Sequence, residues 1–218
     1  MLASDQSVRL TEIFYSLQGE SSWAGEPTVF VRLTGCPLRC VWCDTAYAFQ
    51  GGELFTIPEV LDKVAEFGVG HVCVTGGEPL AQPICLVLLE ALADAGYQVS
   101  LETSGALDIE PVDGRIKRIV DLKAPTSGEQ QRNRLENLPL LTANDEVKFV
   151  VGNREDFEWA ESMVSKHGIA ERAGHVLLSP VHGELDLQQL AGWVLASRNP
   201  LRLQMQLHKL IWGEKPGV

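Results

Sequence analysis

The sequence predicts an α/β fold: an incomplete, modified (β/α) barrel of the TIM type, with mostly parallel strands and some crossover helices missing. Three observations predict it. Short β-rich runs recur along the chain, amphipathic helical patterns fall between several of them, and two connections are too short or too polar to hold a covering helix.

The β-rich runs lie at residues 28–34, 70–75, 97–102, 116–122, 146–151, 175–179 and 201–207. The first helix is expected over 57–67, where Val60, Leu61, Val64 and Phe67 recur at helical spacing and Pro58 suits a first turn. A second, over 83–95, is dense in Leu and Ala. A third, over 154–167, sets Phe157, Ala160 and Val164 on one face, and a fourth covers 185–196. Strand–helix alternation of this kind builds a parallel sheet from right-handed crossovers. The connection 103–115 holds Gly105, Pro111 and Gly114, and 124–145 is polar with two prolines, so neither is expected to form a full helix.

At 218 residues, with 45% hydrophobic and 22% charged residues and no internal repeat, the chain is expected to form a single domain over 1–218. It has no signal-peptide pattern at its start and no apolar run of membrane-spanning length, so a cytoplasmic location is expected, with no membrane partner. A net charge of -11 repels nucleic-acid backbones, which argues against a polynucleotide partner.

Three of the five cysteines, Cys36, Cys40 and Cys43, fall in one window after the first β-rich run. In a reducing compartment clustered cysteines are metal ligands or redox groups. Three thiolates suit an iron–sulfur cluster that keeps one iron open, while zinc or a Cys40/Cys43 redox pair are the other readings of the residues alone. Cys73 and Cys85 sit in apolar surroundings and read as small buried hydrophobes. His71, His167 and His175 read as surface or strand-edge residues. Further motifs follow the other runs: Thr75-Gly76-Gly77-Glu78-Pro79, Glu102-Thr103-Ser104-Gly105, Asp121-Leu122-Lys123 and Ser179-Pro180-Val181-His182. Ligands bind at the C-terminal ends of parallel strands, so these segments should converge on one site.

Cys-x3-Cys-x2-Cys with an aromatic residue before the last cysteine, followed after the next strand by Gly-Gly-Glu-Pro, resembles the radical S-adenosylmethionine (SAM) superfamily. There the open iron chelates the methionyl amine and carboxylate of SAM, and one-electron reduction yields a 5′-deoxyadenosyl radical. The segments 12–20, 30–33, 43–45, 102–105 and 206–209 are similar to those of the 7-carboxy-7-deazaguanine synthase family, a likeness spanning nearly the whole chain.

That resemblance implies a lyase that contracts 6-carboxy-5,6,7,8-tetrahydropterin to 7-carboxy-7-deazaguanine with loss of ammonia, in 7-deazapurine (queuosine) biosynthesis. It implies a 4Fe-4S cluster on Cys36, Cys40 and Cys43, SAM, and Mg²⁺ at Thr45, with Asp44 ranked second. Substrate contacts map to Leu17, Gln18, Gly19, Arg32, Thr75, His208 and the terminal carboxylate of Val218. Gln18 both donates and accepts, suiting a pterin edge, and a guanidinium at Arg32 matches a carboxylate. Cofactor contacts map to Gly77, to Asp121, Leu122 and Lys123, and to Ser179, Pro180, Val181 and His182, although these last two segments depart from the family's pattern at several positions. No protein acid or base is assigned, Glu20 and Glu102 being the available carboxylates. A homodimer and an electron donor such as flavodoxin or ferredoxin are implied as partners. Two readings from other classes are a glycyl-radical-activating enzyme and a non-catalytic zinc-binding module.

Overall fold

The computed structural model describes residues 6–213, 215 and 217. In chain order the strands and helices are β1 (Ser7–Leu17), β2 (Pro27–Leu33), β3 (Glu53–Thr56), α1 (Ile57–Ala65), β4 (His71–Gly76), α2 (Cys85–Asp94), β5 (Gln98–Thr103), β6 (Lys117–Asp121), β7 (Glu146–Val151), α3 (Arg154–His167), β8 (His175–Pro180), α4 (Leu187–Ala196), β9 (Leu201–Leu203) and α5 (Leu207–Trp212). The nine strands form one open sheet in the order β3-β1-β2-β4-β5-β6-β7-β8-β9. From β2 to β9 every neighbouring pair is parallel, whereas β1 runs antiparallel to both β2 and β3.

All seven expected strands are present, the last cut short at Leu203. The structure adds β1 and β3, which the sequence reading did not assign. It also leaves the sheet open, so the incomplete barrel is a mostly parallel sheet with β3 and β9 at its edges.

Local chemistry explains the helix boundaries. α1 starts in a capping box: Glu59 donates its N–H to the Thr56 hydroxyl, and Thr56 N–H donates to Glu59 Oε2 at 2.7 Å. It ends before Phe67, which the sequence pattern had included and which is instead exposed. α3 begins at Asn153, whose side chain accepts the Asp156 N–H, has Glu155 and Asp156 in its first turn and Lys166 and His167 in its last, and stops at left-handed Gly168. The expected face Phe157, Ala160 and Val164 is buried.

The sheet sorts side chains by the period of two that a pleated strand imposes. Val29, Val31 and Leu33 of β2, Val72 and Val74 of β4, and Val99 and Leu101 of β5 pack against α1 and α2. Val147, Phe149 and Val151 of β7 and Val176 and Leu178 of β8 pack with α3 and α4. Cys73 and Cys85 are fully buried, as expected of small apolar residues.

Crossovers β5–β6 and β6–β7 lack α-helices, the second being three short 3₁₀ turns. Polar side chains hold them instead. Buried Asn137 donates to Gly105 and Leu107 carbonyls and accepts the Ile109 N–H. Arg118 pairs with Asp145, Nη2 to Oδ2 at 2.6 Å, and also donates to the Ile109 and Leu140 carbonyls. Burial disfavours the Asp145 charge, but Arg118 and Thr142 outweigh it and hold the carboxyl below the usual aspartate range. A depressed native pKa contributes stability above the unfolded value of about 4 and loses it as pH falls through the native one. Arg118→Met should therefore cost about 3–5 kcal/mol at neutral pH, read as a lower urea midpoint, with the cost shrinking as pH drops below about 4.

Candidate active site

One cavity of about 460 Å³ opens where the strand ends converge. The strand faces turned away from the helices supply its walls: Phe30 and Arg32 of β2, Thr75 of β4, Glu102 of β5, Ile119 and Asp121 of β6, and Lys148 and Val150 of β7. These are the alternate positions to the apolar core residues, so the pleat that builds the core also builds the site.

The cysteine loop sits over one side. Gly35, at φ +99°, turns the chain after β2, donates to the Ala48 carbonyl at 2.8 Å and accepts from the Glu78 N–H at 2.9 Å. Arg39 donates to the Cys36 and Leu38 carbonyls and lies 4.2 Å from the centre of the Phe49 ring. Cys36, Cys40 and Cys43 are free thiols, partly buried, and all three line the cavity. Burial pushes the Cys36 and Cys40 thiols up, and the Lys123 ammonium pulls against it.

Gly77 lies directly beneath this loop. A Cβ there would collide with the Gly35 carbonyl and come within 2.7 Å of Cys36 Cβ. Glu78 is fully buried and does not line the cavity; its carboxylate accepts from Leu80 N–H, from Thr103 hydroxyl, and from Ser104 N–H at 2.7 Å and hydroxyl at 2.5 Å. The diglycine turn is thereby tied to the end of β5.

Across the cavity, the loop between β1 and β2 carries Gln18, Gly19 and Glu20. His208 of α5 packs on Gly19, leaving no room for a Cβ, and Leu207 N–H donates to the Gly19 carbonyl at 2.9 Å. Lys209 reaches the other way to Asp44 at 3.3 Å. Asp44 accepts from the Thr45 hydroxyl, leaving oxygen lone pairs of both at the rim. Arg32 Nε donates to Glu12 at 2.7 Å while its guanidinium lies near the Phe14 and Tyr47 rings. Glu102 accepts from the Thr75 hydroxyl at 2.9 Å.

The sequence-based expectations mostly converge here. Leu17, Gln18, Gly19, Arg32, Thr75 and His208 line the cavity, as do Thr45, Gly77, Asp121, Lys123, Val181 and His182, and both Glu20 and Glu102. Leu122 does not: alternation along β6 turns it into the apolar cluster under α3. Ser179 and Pro180 also fall outside the lining, with Ser179 fully buried. His208 lies in α5 and not directly after a strand, since β9 ends at Leu203. Val218 lies outside the described residues, although a Cβ on Gly217 would sit 3.2 Å from Glu12 Oε2. Lys148, Gln206 and Lys209 were given no role by sequence reading; a lysine alternating with Val147 and Phe149 was the available signal for the first.

The donor set suits a cluster. Cys36, Cys40 and Cys43 are three free, partly buried thiols on one loop facing the cavity. A cube of irons takes one thiolate per iron, so three thiolates leave one iron open. Close beneath, Gly76 and Gly77 line the cavity with backbone, and Asp121 Oδ1 is buried without a hydrogen-bond partner.

An open parallel sheet with three free cysteines after one strand, facing a diglycine after the next, defines a radical SAM enzyme, and residues 30–186 match the radical SAM superfamily. Such an enzyme carries a 4Fe-4S cluster, uses SAM and needs a reductant. A 7-carboxy-7-deazaguanine synthase of Chlorobaculum tepidum is 44% identical, with 97% of each chain covered, and one of Koribacter versatilis is 42% identical over 97% of this chain and all of the relative. The chain belongs to the 7-carboxy-7-deazaguanine synthase family. The crystal structure of QueE from Escherichia coli shares the fold, with a TM-score of 0.74 at 24% identity, covering 94% of this chain and 96% of that one.

Replacing Gly77 by Ala should push the cysteine loop off its seat, and iron bound per chain after anaerobic reconstitution should fall well below wild type. Gly70→Ala, where a Cβ meets nothing within 4 Å, should bind iron normally.

Proposed function

We propose that this chain converts 6-carboxy-5,6,7,8-tetrahydropterin to 7-carboxy-7-deazaguanine and ammonia in queuosine biosynthesis. The observation that carries this reading is near-full-length similarity, at 42% and 44% identity, to 7-carboxy-7-deazaguanine synthases. The cavity supports it, with thiols on one wall and amide, imidazole and guanidinium groups on the other. The pterin loses only ammonia, so no net oxidation is required and SAM is regenerated.

In this reading Cys36, Cys40 and Cys43 hold the cluster, and Gly77, Asp121, Lys123, Val181 and His182 hold SAM. When bound, these two groups supply the one-electron chemistry that removes and returns a substrate hydrogen. Leu17, Gln18, Gly19, Thr75 and His208 hold the pterin. Arg32 engages Glu12 through Nε, which leaves its terminal nitrogens for the substrate carboxylate. Glu20 and Glu102 are the carboxylates at hand to move protons as ammonia departs. Thr45 takes Mg²⁺, a hard cation suited to hydroxyl, carboxylate and water oxygens.

The chain works as a single domain, as a homodimer in the cytoplasm, reduced by a flavodoxin- or ferredoxin-like carrier. Among the described residues no helix is long and apolar enough to cross a membrane.

Anaerobic reconstitution followed by incubation with SAM, reductant, Mg²⁺ and the pterin should give the deazaguanine and ammonia in equal amounts. Accumulation of 5′-deoxyadenosine without deazaguanine would remove the substrate and keep the radical SAM class. Omitting Mg²⁺ should slow turnover, and Thr45→Val should abolish that dependence.

A further inference from the structure

Lys148 has no role in the reading above, yet it is a buried cation, 9% exposed, on the cavity floor. Its direction is fixed by β7, where Val147 and Phe149 face the core and Lys148 must face the cavity. Parallel register sets it beside Asp121 of β6. Its ammonium donates to Glu20 Oε2 at 2.5 Å and lies 3.5 Å from Asp121 Oδ2. Glu20 accepts a second bond from Gln206 at 2.8 Å, and Asp121 pairs also with Lys123 at 3.0 Å. Two carboxylates thus share one ammonium, and without it buried Glu20 would lose its ion pair while half-buried Asp121 would keep Lys123 but lose the cation that links it to Glu20.

We propose that Lys148 is a positioning residue common to both halves of the site: one ammonium holds Glu20 on the pterin side and Asp121 on the SAM side, each aimed into the cavity. This rests on the assignment of sides made above. Asp121 Oδ1 is the unpartnered atom, so a ligand that engages it alters how Asp121 draws on Lys148, and hence how firmly Glu20 is held. Occupancy of one side is then felt at the other, in both directions.

The test is calorimetric binding of SAM and of the carboxylated tetrahydropterin to reconstituted enzyme without reductant, separately and together. In the wild type, each ligand should change the other's Kd by about fivefold or more. Lys148→Met should weaken both ligands about tenfold, a loss of about 1.4 kcal/mol each, and bring the mutual effect close to one. Lys148→Arg should restore most of it, and thermal melting and cluster absorbance report whether each variant is folded and loaded. Glu20→Gln keeps Lys148 and should still shift the Kd for SAM, although Glu20 lies on the other side; this arm decides if Lys148→Met does not fold. Weakening of the pterin alone in Lys148→Met, an unchanged SAM Kd in Glu20→Gln, or no mutual effect in the wild type would overturn the proposal. Wild-type enzyme that binds SAM but not the pterin would remove the substrate reading, while the Glu20→Gln arm would still test the shared ammonium through SAM.

Discussion

Everything in this molecule depends on the pleat of a parallel sheet, which sends alternate side chains to opposite faces. One face is covered by α1 to α4 and takes Val, Leu and Phe; the other carries Arg32, Thr75, Glu102, Asp121 and Lys148 at or near the strand ends. The pleat thus places the strand-borne side chains of the site, and the loops and α5 close over them. A register slip of one residue in β6 would drive Asp121 into the apolar cluster and put Leu122 in the cavity, losing core and site together.

Charge is organised on the same face. The chain carries a net charge of -11, yet Arg32, Lys123, Lys148 and Lys209 gather around the cavity, each paired with a carboxylate. Pairing lets buried charges persist, because an isolated one would neutralise itself by shifting its pKa. Asp121 shows the balance: burial raises its pKa, but Lys123 and Lys148 outweigh that and keep it below the ordinary aspartate range. Behind the diglycine, Glu78 instead accepts hydrogen bonds from neutral donors on Thr103, Ser104 and Leu80.

Much of this was legible in the sequence because periodicity and cysteine spacing are local signals. Seven strands, four helices and the two crossovers without helices follow from apolar runs, prolines and glycines. β1 was not legible, since Thr11, Glu12 and Ser16 interrupt its apolar residues, and β3 is only four residues long. Leu122 packs in the apolar cluster and not in the cavity because a strand offers every second residue of a motif to one face. Lys148 was overlooked because its partners, Glu20 and Asp121, are distant in sequence and meet it only through the fold. Charge pairs of that kind leave no trace in spacing.

α5 closes the cavity by touching both the loop of Gly19 and, through Lys209, the loop of Asp44. It adds little to either apolar cluster: none of its residues is buried, and Leu210 is 69% exposed. Its place is thus set by the site and not by the core. Its seat therefore depends on the two loops it bridges, so a side chain added at Gly19 or the loss of the Asp44 carboxylate would loosen this wall and leave the apolar core untouched.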